Sequence, residues 1–215
     1  MLAGKPINDW IKTWWNWYYS IEEKEHPSYS SLSNYGVRNN DYNQGRTPRD
    51  WGENAEKRVW FLAGAYGTNS TLRSIIPATE TDESWSILAP AYNMGVSEAE
   101  FPSLDKQELE NLLKDDVDGA KDLKVTLNSS DGIKDLTDEL QRVETDWFPV
   151  ENIPEENILA LDVDHINMKS DGYWIFLELS PGEHILQLKG KSNNYESDMT
   201  FNLTVRGPGK KKGTI

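Results

Sequence analysis

The chain has 215 residues, of which 37% are hydrophobic, and its 36 acidic and 22 basic side chains give a formal net charge of −14. This length and composition are typical of a globular protein, and a chain this acidic would repel a phosphate backbone, which argues against a nucleic-acid partner. The absence of cysteine excludes disulfides, thiol nucleophiles and Cys-ligated metals.

The first predicted element is an amphipathic helix over residues 7–21, which contains the stretch WIKTWWNWYYSI. At 100° per residue, one side of this helix collects apolar and aromatic residues, namely Ile7, Trp10, Ile11, Trp14, Trp17, Tyr18 and Ile21. An aromatic stripe opposite a polar face is typical of a helix that packs on a core, where each buried ring contributes up to about 3 kcal/mol. Trp15 and Tyr19 lie at the border of the stripe, so of the rings of this helix they are the two that we expect to be exposed to solvent.

A long loop is predicted for residues 22–57, which are rich in Ser, Asn, Gly, Pro and charged side chains and show no sustained period. Loops of this length are either functional or mobile. Beyond the loop, apolar runs bounded by glycine or proline predict three short strands between residues 59 and 91, namely Val59–Ala63, Arg73–Ile76 and Trp85–Ala89.

A second helix is predicted near residues 105–118. Asp105 can cap its first turn, and Glu108 can return the capping bond. An apolar stripe then runs to the predicted end near Gly119, formed by Leu109, Leu112, Leu113 and Val117.

Residues 121–206 are predicted to be all β. Apolar and polar residues alternate over Leu123–Leu127 and Met199–Val205, which is typical of a sheet with one wet face, and a further strand is predicted over Ile158–Ile166. The Pro181-Gly182 pair between two later apolar runs suits the centre of a type II turn, and this predicts a hairpin.

We therefore predict an α+β, mainly β fold in a single domain over residues 1–206. Its body is an antiparallel β-sandwich of Ig-like or jelly-roll type, covered by the N-terminal aromatic amphipathic helix and by the helix near 105–118. Residues 207–215, GPGKKKGTI, are predicted to form a flexible basic tail. No apolar run approaches the roughly 18 residues that span a bilayer, and no signal peptide is visible, so no membrane insertion is expected.

Candidate metal ligands are few. The three histidines, His26, His165 and His184, are spread over a predicted loop and strands, which disfavours a three-histidine site. The stretch DVDHINMKSDG is rich in the hard oxygen ligands that Ca²⁺ prefers, namely Asp162, Asp164, Asn167 and Asp171. Their spacing departs from that of an EF-hand loop. Ca²⁺ is the one cofactor that the sequence raises, against the alternative of a solvated strand end with a turn.

No motif in the sequence names a reaction. The chain lacks a G-x-S-x-G elbow, a Walker A loop and a G-x-G-x-x-G fingerprint. Paired carboxylates, Glu98 with Glu100 or Glu80 with Asp82 and Glu83, could supply the acid and base of a glycosidase. That chemistry depends on a separation in space that sequence does not provide, and a hydrolase stays an alternative.

Several motifs in order along the chain resemble those of an uncharacterised family of archaeal and bacterial proteins. They are WIxxWWxWxxSI from Trp10, His26-Pro27, VWFLAG from Val59, IPA from Ile76, SDGYW from Ser170 and LSPGEH from Leu179. The resemblance implies a hypothetical, frequently exported protein with no established activity. The chain departs from the family where I-P-A-G-K reads I-P-A-T-E, and it lacks the cysteines that often flank VWFLAG.

The function predicted from the sequence is that of a non-enzymatic binding or structural module, at the cell envelope or on an assembled particle such as a virion. Its partner would be a protein or a carbohydrate, and a homo-oligomer or larger assembly stays open. In the alternative of a carbohydrate-binding module, aromatic residues of the long loop would stack on sugar rings, namely Tyr29, Tyr35, Tyr42 and Trp51.

Overall fold

The computed structural model describes residues 4–23, 26, 59–63, 70–76, 85–193 and 195–206. Two helices and ten strands occur in these ranges, together with a short 3-10 turn at Thr137–Glu139. The helices are α1 (Ile7–Tyr19) and α2 (Lys106–Asp118). The strands are β1 (Val59–Phe61), β2 (Ser70–Ile76), β3 (Trp85–Ser97), β4 (Lys121–Ser129), β5 (Gly132–Asp135), β6 (Gln141–Arg142), β7 (Phe148–Glu151), β8 (His165–Leu179), β9 (Gly182–Lys191) and β10 (Glu196–Val205).

The strands form two five-stranded sheets. The first has the order β1-β3-β8-β6, with β7 also paired to β8, and the second has the order β2-β10-β9-β4-β5. Pairing is antiparallel except that β1 runs parallel to β3 and β2 runs parallel to β10. The predicted α+β, mainly β class is therefore confirmed for the part of the chain that the structure describes.

One buried hydrophobic cluster contains residues of both sheets. Ile87 of β3 and Ile175 of β8 belong to the same buried cluster as Leu186 of β9 and Phe201 of β10, and all four are fully buried. The alternation predicted for the last strand is confirmed, because Met199, Phe201, Leu203 and Val205 are all buried.

The aromatic helix packs on the first sheet, as the spacing of its apolar residues predicts. Trp14 is 2% exposed, its ring lies edge-on to Trp174 of β8, and its indole Nε1 donates to the carbonyl oxygen of Leu62 at 2.9 Å. Trp10 meets Phe61 of β1 in a similar edge-on contact. The helix is thus held to the sheet by rings and by a buried hydrogen bond.

The prediction that Trp15 and Tyr19 are exposed is wrong, since they are 5% and 2% exposed. The Trp15 ring packs beside β3 and stacks on Tyr19 with ring centroids 5.4 Å apart. Gly95 of β3 leaves room for the Trp15 ring there, because a Cβ at this glycine would lie 3.3 Å from Trp15 Cη2.

The second helix begins as predicted. The Asp105 side chain accepts from the backbone N–H of Glu108 at 2.9 Å, and the Glu108 side chain accepts from the backbone N–H of Asp105 at 2.8 Å. Leu109, Leu113 and Val117 are buried against the first sheet in a cluster with Tyr92 and Val96.

Proline does not end the third strand where the sequence predicts. β3 continues through Pro90 to Ser97, and its register with β8 shifts between Pro90 and Tyr92. A β-bulge of this kind accommodates a residue that lacks a backbone donor, so the strand bends without ending. Beyond Pro90, Tyr92 and Val96 share a buried cluster with residues of α2.

The predicted hairpin at Pro181-Gly182 is wrong. β8 pairs with β3, β6 and β7, whereas β9 pairs with β4 and β10, so this connection crosses from one sheet to the other. Gly182 has φ 148°, far from the roughly +80° of a type II turn. The strand predicted over Ile158–Ile166 is also displaced, because β8 begins only at His165.

Candidate ligand-binding cavity

A cavity of about 290 Å³ lies where α1, β3, α2 and the start of β10 meet. Its lining combines aromatic rings from α1 with the bulged part of β3 and with two carboxyl groups, Glu100 and Asp116. A concave, mostly apolar pocket with a few convergent polar groups is where a ligand is expected to bind. We therefore treat it as the candidate functional site.

One wall of the cavity consists of four aromatic residues from two consecutive turns of α1, namely Trp14, Trp15, Tyr18 and Tyr19. Trp14 stacks on Tyr18 with ring centroids 4.8 Å apart, and Trp15 stacks on Tyr19 at 5.4 Å. Both pairs have the i, i+4 spacing that brings side chains together on a helix. The wall is therefore prearranged by the helix itself.

The opposite side is formed by β3 and by the residues around the turn from β9 to β10. The stretch from Pro90 to Gly95 lines the cavity, and Tyr195 and Ser197 extend the lining towards the second sheet. β-Bulges often occur next to functional sites because they redirect side chains. Here the bulge at Pro90–Tyr92 places both strand backbone and the Tyr92 ring at the cavity.

Glu100 contributes a half-buried carboxyl group just beyond the end of β3. Its Oε2 accepts a hydrogen bond from Ser97 Oγ at 2.8 Å. Burial raises the pKa of Glu100 above its usual value, and the hydrogen bond from Ser97 opposes this rise. The environment therefore disfavours the negative charge unless a positive group compensates it.

Asp116 brings the second carboxyl group from α2. Tyr92 donates its hydroxyl to Asp116 Oδ2, and Ser192 donates to Asp116 Oδ1 at 3.0 Å. Burial, followed by the hydrogen bond to Asp116, raises the pKa of Tyr92 well above its usual range. Tyr92 therefore stays neutral and acts as a donor that ties α2 to β3, while Ser192 ties α2 to the end of β9.

Among the buried side-chain polar atoms of the described lining residues, one has no hydrogen-bond partner. The Nε1 of Trp15 is buried and makes no hydrogen bond. Buried donors are nearly always paired, so an unpaired N–H in a residue at a cavity is a group that a ligand oxygen could satisfy.

None of the aromatic or Ca²⁺ candidates singled out from the sequence is among the described residues that line this cavity. Tyr29, Tyr35, Tyr42 and Trp51 lie outside the described residues, as do most of the predicted loop 22–57 and the tail 207–215. Of the paired carboxylates, Glu98 is exposed while Glu100 lines the cavity, and the second set, Glu80, Asp82 and Glu83, lies outside the described residues. Asp116 and Tyr92 also line the cavity, and the sequence analysis singled out neither of them.

The four candidate Ca²⁺ ligands are not gathered at one exposed loop. Asp162 and Asp164 are exposed before β8, Asn167 is exposed within it, and Asp171 is buried further along the same strand. Asp171 is engaged by Arg142, whose Nη2 donates to its Oδ2 at 2.7 Å and whose Nη1 donates to Asp118 at 2.6 Å.

Within the described ranges, no group of three or more His, Asp or Glu side chains is arranged to hold a metal ion. His26 is buried with its Nε2 bonded to the carbonyl oxygen of Tyr18 at 2.9 Å, and the Nε2 of His184 lies 2.9 Å from the carbonyl oxygen of Ser180. His165 is exposed beside Asp164. The three imidazoles thus occupy separate places in the fold.

Replacing Glu100 by glutamine should change how stability depends on pH. The pKa of Glu100 is higher in the folded state than in the unfolded state. Between these two pKa values the folded state therefore binds more protons than the unfolded state, and the free energy of unfolding falls as the pH rises. Glu100→Gln removes this loss. We expect the melting temperature of Glu100→Gln to exceed that of the wild type by more at pH 7 than at pH 4, as measured by differential scanning calorimetry.

The control for this measurement is Glu98→Gln, which changes an exposed side chain two residues earlier. If the difference in melting temperature between Glu100→Gln and the wild type is the same at pH 4 and pH 7, the prediction is wrong.

Comparison with known proteins adds little to this geometry. No family model and no curated protein matches the sequence. Among solved structures, the chain is similar to an amylomaltase from Corynebacterium glutamicum, with 18% identity and a TM-score of 0.22. The match covers 63% of this chain and 12% of that enzyme, and a likeness this low carries no argument about fold or activity. Neither helix in the described ranges has the length and apolar character needed to cross a bilayer.

Proposed function

We propose that the protein is a non-enzymatic binding module that holds a small ligand in the cavity between α1, β3 and α2. The observation that carries this proposal is the junction itself, where stacked indole and phenol rings meet two carboxyl groups around about 290 Å³ of open space. Ligand pockets are typically concave and mostly apolar, with a few polar groups that fix orientation. This cavity has the same composition and a volume near the lower end of their usual range.

The architecture around the cavity supports a binding role. We propose that the two sheets form a β-sandwich, of the Ig-like or jelly-roll type expected from the sequence, because both contribute to one buried cluster. A packed two-sheet body would provide the rigid support that a preformed site requires. The helices α1 and α2 would then supply the walls, since both pack on the first sheet.

The proposal is tested by blocking the cavity. Leu112 of α2 is half-buried and lines it, so Leu112→Trp should fill part of the open space. The matched control is Asn111→Trp, at the adjacent exposed position of the same helix. Both variants and the wild type are titrated with a panel of small sugars, organic cations, organic anions and neutral aromatics, and binding is followed by ligand-observed NMR.

We expect at least one class of the panel to bind the wild type and Asn111→Trp with similar affinity, and to bind Leu112→Trp at least tenfold more weakly. Tenfold corresponds to about 1.4 kcal/mol, the order of one lost ring contact. A panel in which no class binds, or in which Leu112→Trp binds as well as the control, would overturn the proposal.

A further inference from the structure

The charged groups around the cavity have one sign. Glu100 and Asp116 both line it, and the described lining residues include no lysine, arginine or histidine. The whole chain is also acidic, with a formal net charge of −14. An organic anion would therefore meet two carboxyl groups with no cation to offset them, whereas a positively charged ligand would be attracted.

Six of the sixteen described lining residues are aromatic, and none of the sixteen besides Glu100 and Asp116 is charged. Trp14, Trp15, Tyr18 and Tyr19 line the cavity from α1, and Tyr92 and Tyr195 line it from the opposite side. Aromatic faces attract cations through the ring quadrupole, by about 0.5–1 kcal/mol at exposed sites and about 2 kcal/mol or more where water is excluded. Rings in this number offer an organic cation an environment that is both apolar and electrostatically favourable.

The hydrogen bonds that the two carboxyl groups already accept leave fewer acceptor sites for a ligand, and this favours a cation with few N–H donors. Both oxygens of Asp116 already accept bonds, from Tyr92 and Ser192, and one oxygen of Glu100 accepts from Ser97. A primary ammonium has three donors that must all be satisfied when it leaves water. A methylated ammonium has few or none, and its methyl groups pack directly against rings.

We propose that the ligand of this cavity is a small, methylated ammonium compound. The inference rests on the proposed function, because it assigns a chemical class to the same site. The positive nitrogen would lie among the aromatic rings, with Glu100 as the main counter-charge, since its carboxyl group is half-buried and has one oxygen that no hydrogen bond occupies. Asp116 would supply the second negative charge from α2.

Isothermal titration calorimetry with matched probes tests this class. Choline is compared with 3,3-dimethylbutan-1-ol, which has the same shape but carbon in place of the charged nitrogen, and tetramethylammonium provides a cation without a hydroxyl group. We expect choline to bind at least tenfold more tightly than its neutral analogue, as expected for a desolvated cation–π site. Equal affinity for choline and the neutral analogue would overturn the inference.

Two variants localise the charge effect. Glu100→Gln keeps the shape of the side chain and should weaken choline binding at least fivefold while leaving the neutral analogue unaffected, and Glu98→Gln should leave both unchanged. Asp116→Asn is a second test at the other carboxyl group, and circular dichroism establishes that each variant is folded. Unchanged choline affinity in both folded cavity variants would overturn the inference.

The outcomes separate this inference from the function on which it rests. If choline and tetramethylammonium do not bind but another class of the wider panel binds and is lost in Leu112→Trp, the ammonium assignment is wrong and the binding function stands. If no class binds, both are wrong.

Discussion

Replacing Trp14 by alanine is expected to lower the free energy of unfolding by about 4 kcal/mol, because truncation of a buried tryptophan typically costs 3–5 kcal/mol. The ring is 2% exposed and contacts rings of its own helix and of β8. Its indole N–H also satisfies the carbonyl oxygen of Leu62, which would lose a buried donor. Urea denaturation followed by circular dichroism measures the change.

Two companion variants separate the causes. Trp14→Phe keeps most of the ring and loses the hydrogen bond, so its cost should be about 1–2 kcal/mol. Asp9→Ala alters an exposed side chain of the same helix and should change stability little. If Trp14→Ala lowers the free energy of unfolding by less than about 1 kcal/mol and does not change its slope against urea concentration, the packing of α1 does not depend on this ring.

Replacing Arg142 by alanine should cost about 3 kcal/mol, because it leaves the Asp171 carboxylate buried without its counter-charge. Asp171 is 1% exposed and accepts from both Nε and Nη2 of Arg142. Since the Arg142 side chain is 35% exposed, we place the loss at the lower end of the range for broken buried pairs. The measurement is again urea denaturation.

The double variant Arg142→Ala/Asp171→Asn identifies the cause. In the wild type, Asp171 Oδ1 accepts a hydrogen bond from the backbone N–H of Gly172 at 2.7 Å. An asparagine can still accept this bond and carries no charge, so the second substitution should recover part of the lost stability. Asp118→Ala removes the exposed partner of Arg142 and should cost much less. If the double variant is no more stable than Arg142→Ala, an unpaired buried charge is not the cause.

The helices were predictable because their signals are local. The aromatic stripe of α1 and the reciprocal Asp105–Glu108 capping bonds depend on residues three and four positions apart, and the structure has both. Periodicity gives the direction of a side chain but not the number of elements around it. The exposure predicted for Trp15 is therefore wrong, because its ring packs close to Gly95, which lies far along the chain.

Strand pairing was less predictable because it depends on distant partners. The Pro181-Gly182 pair has the local character of a hairpin turn, yet the strands on its two sides belong to different sheets. A proline in a strand likewise predicts an end only where no bulge can absorb it, and the bulge after Pro90 requires the register of β8. Both outcomes are decided by residues that lie far away in sequence.

The cavity could be predicted only in fragments. Glu100 stood out as one of a pair of carboxylates, but its partner in the structure is Asp116 of α2 rather than Glu98. One signal for Asp116 was available, because it lies four residues after Leu112 and shares that side of the helix next to the apolar stripe. Its convergence with Glu100 depends on how α2 packs against β3, which no local pattern encodes.

The parallel pairing of β2 with β10 has a consequence for biosynthesis. β10 lies between β2 and β9, and Ser70 of β2 pairs with Met199 of β10. β2 therefore cannot pair within its sheet until β10 has left the ribosome. Contacts between such distant segments form slowly, and an unpaired strand edge is exposed to other chains in the meantime. We expect nascent chains stalled before β10 to be protease-sensitive at β2 and to require protection by chaperones.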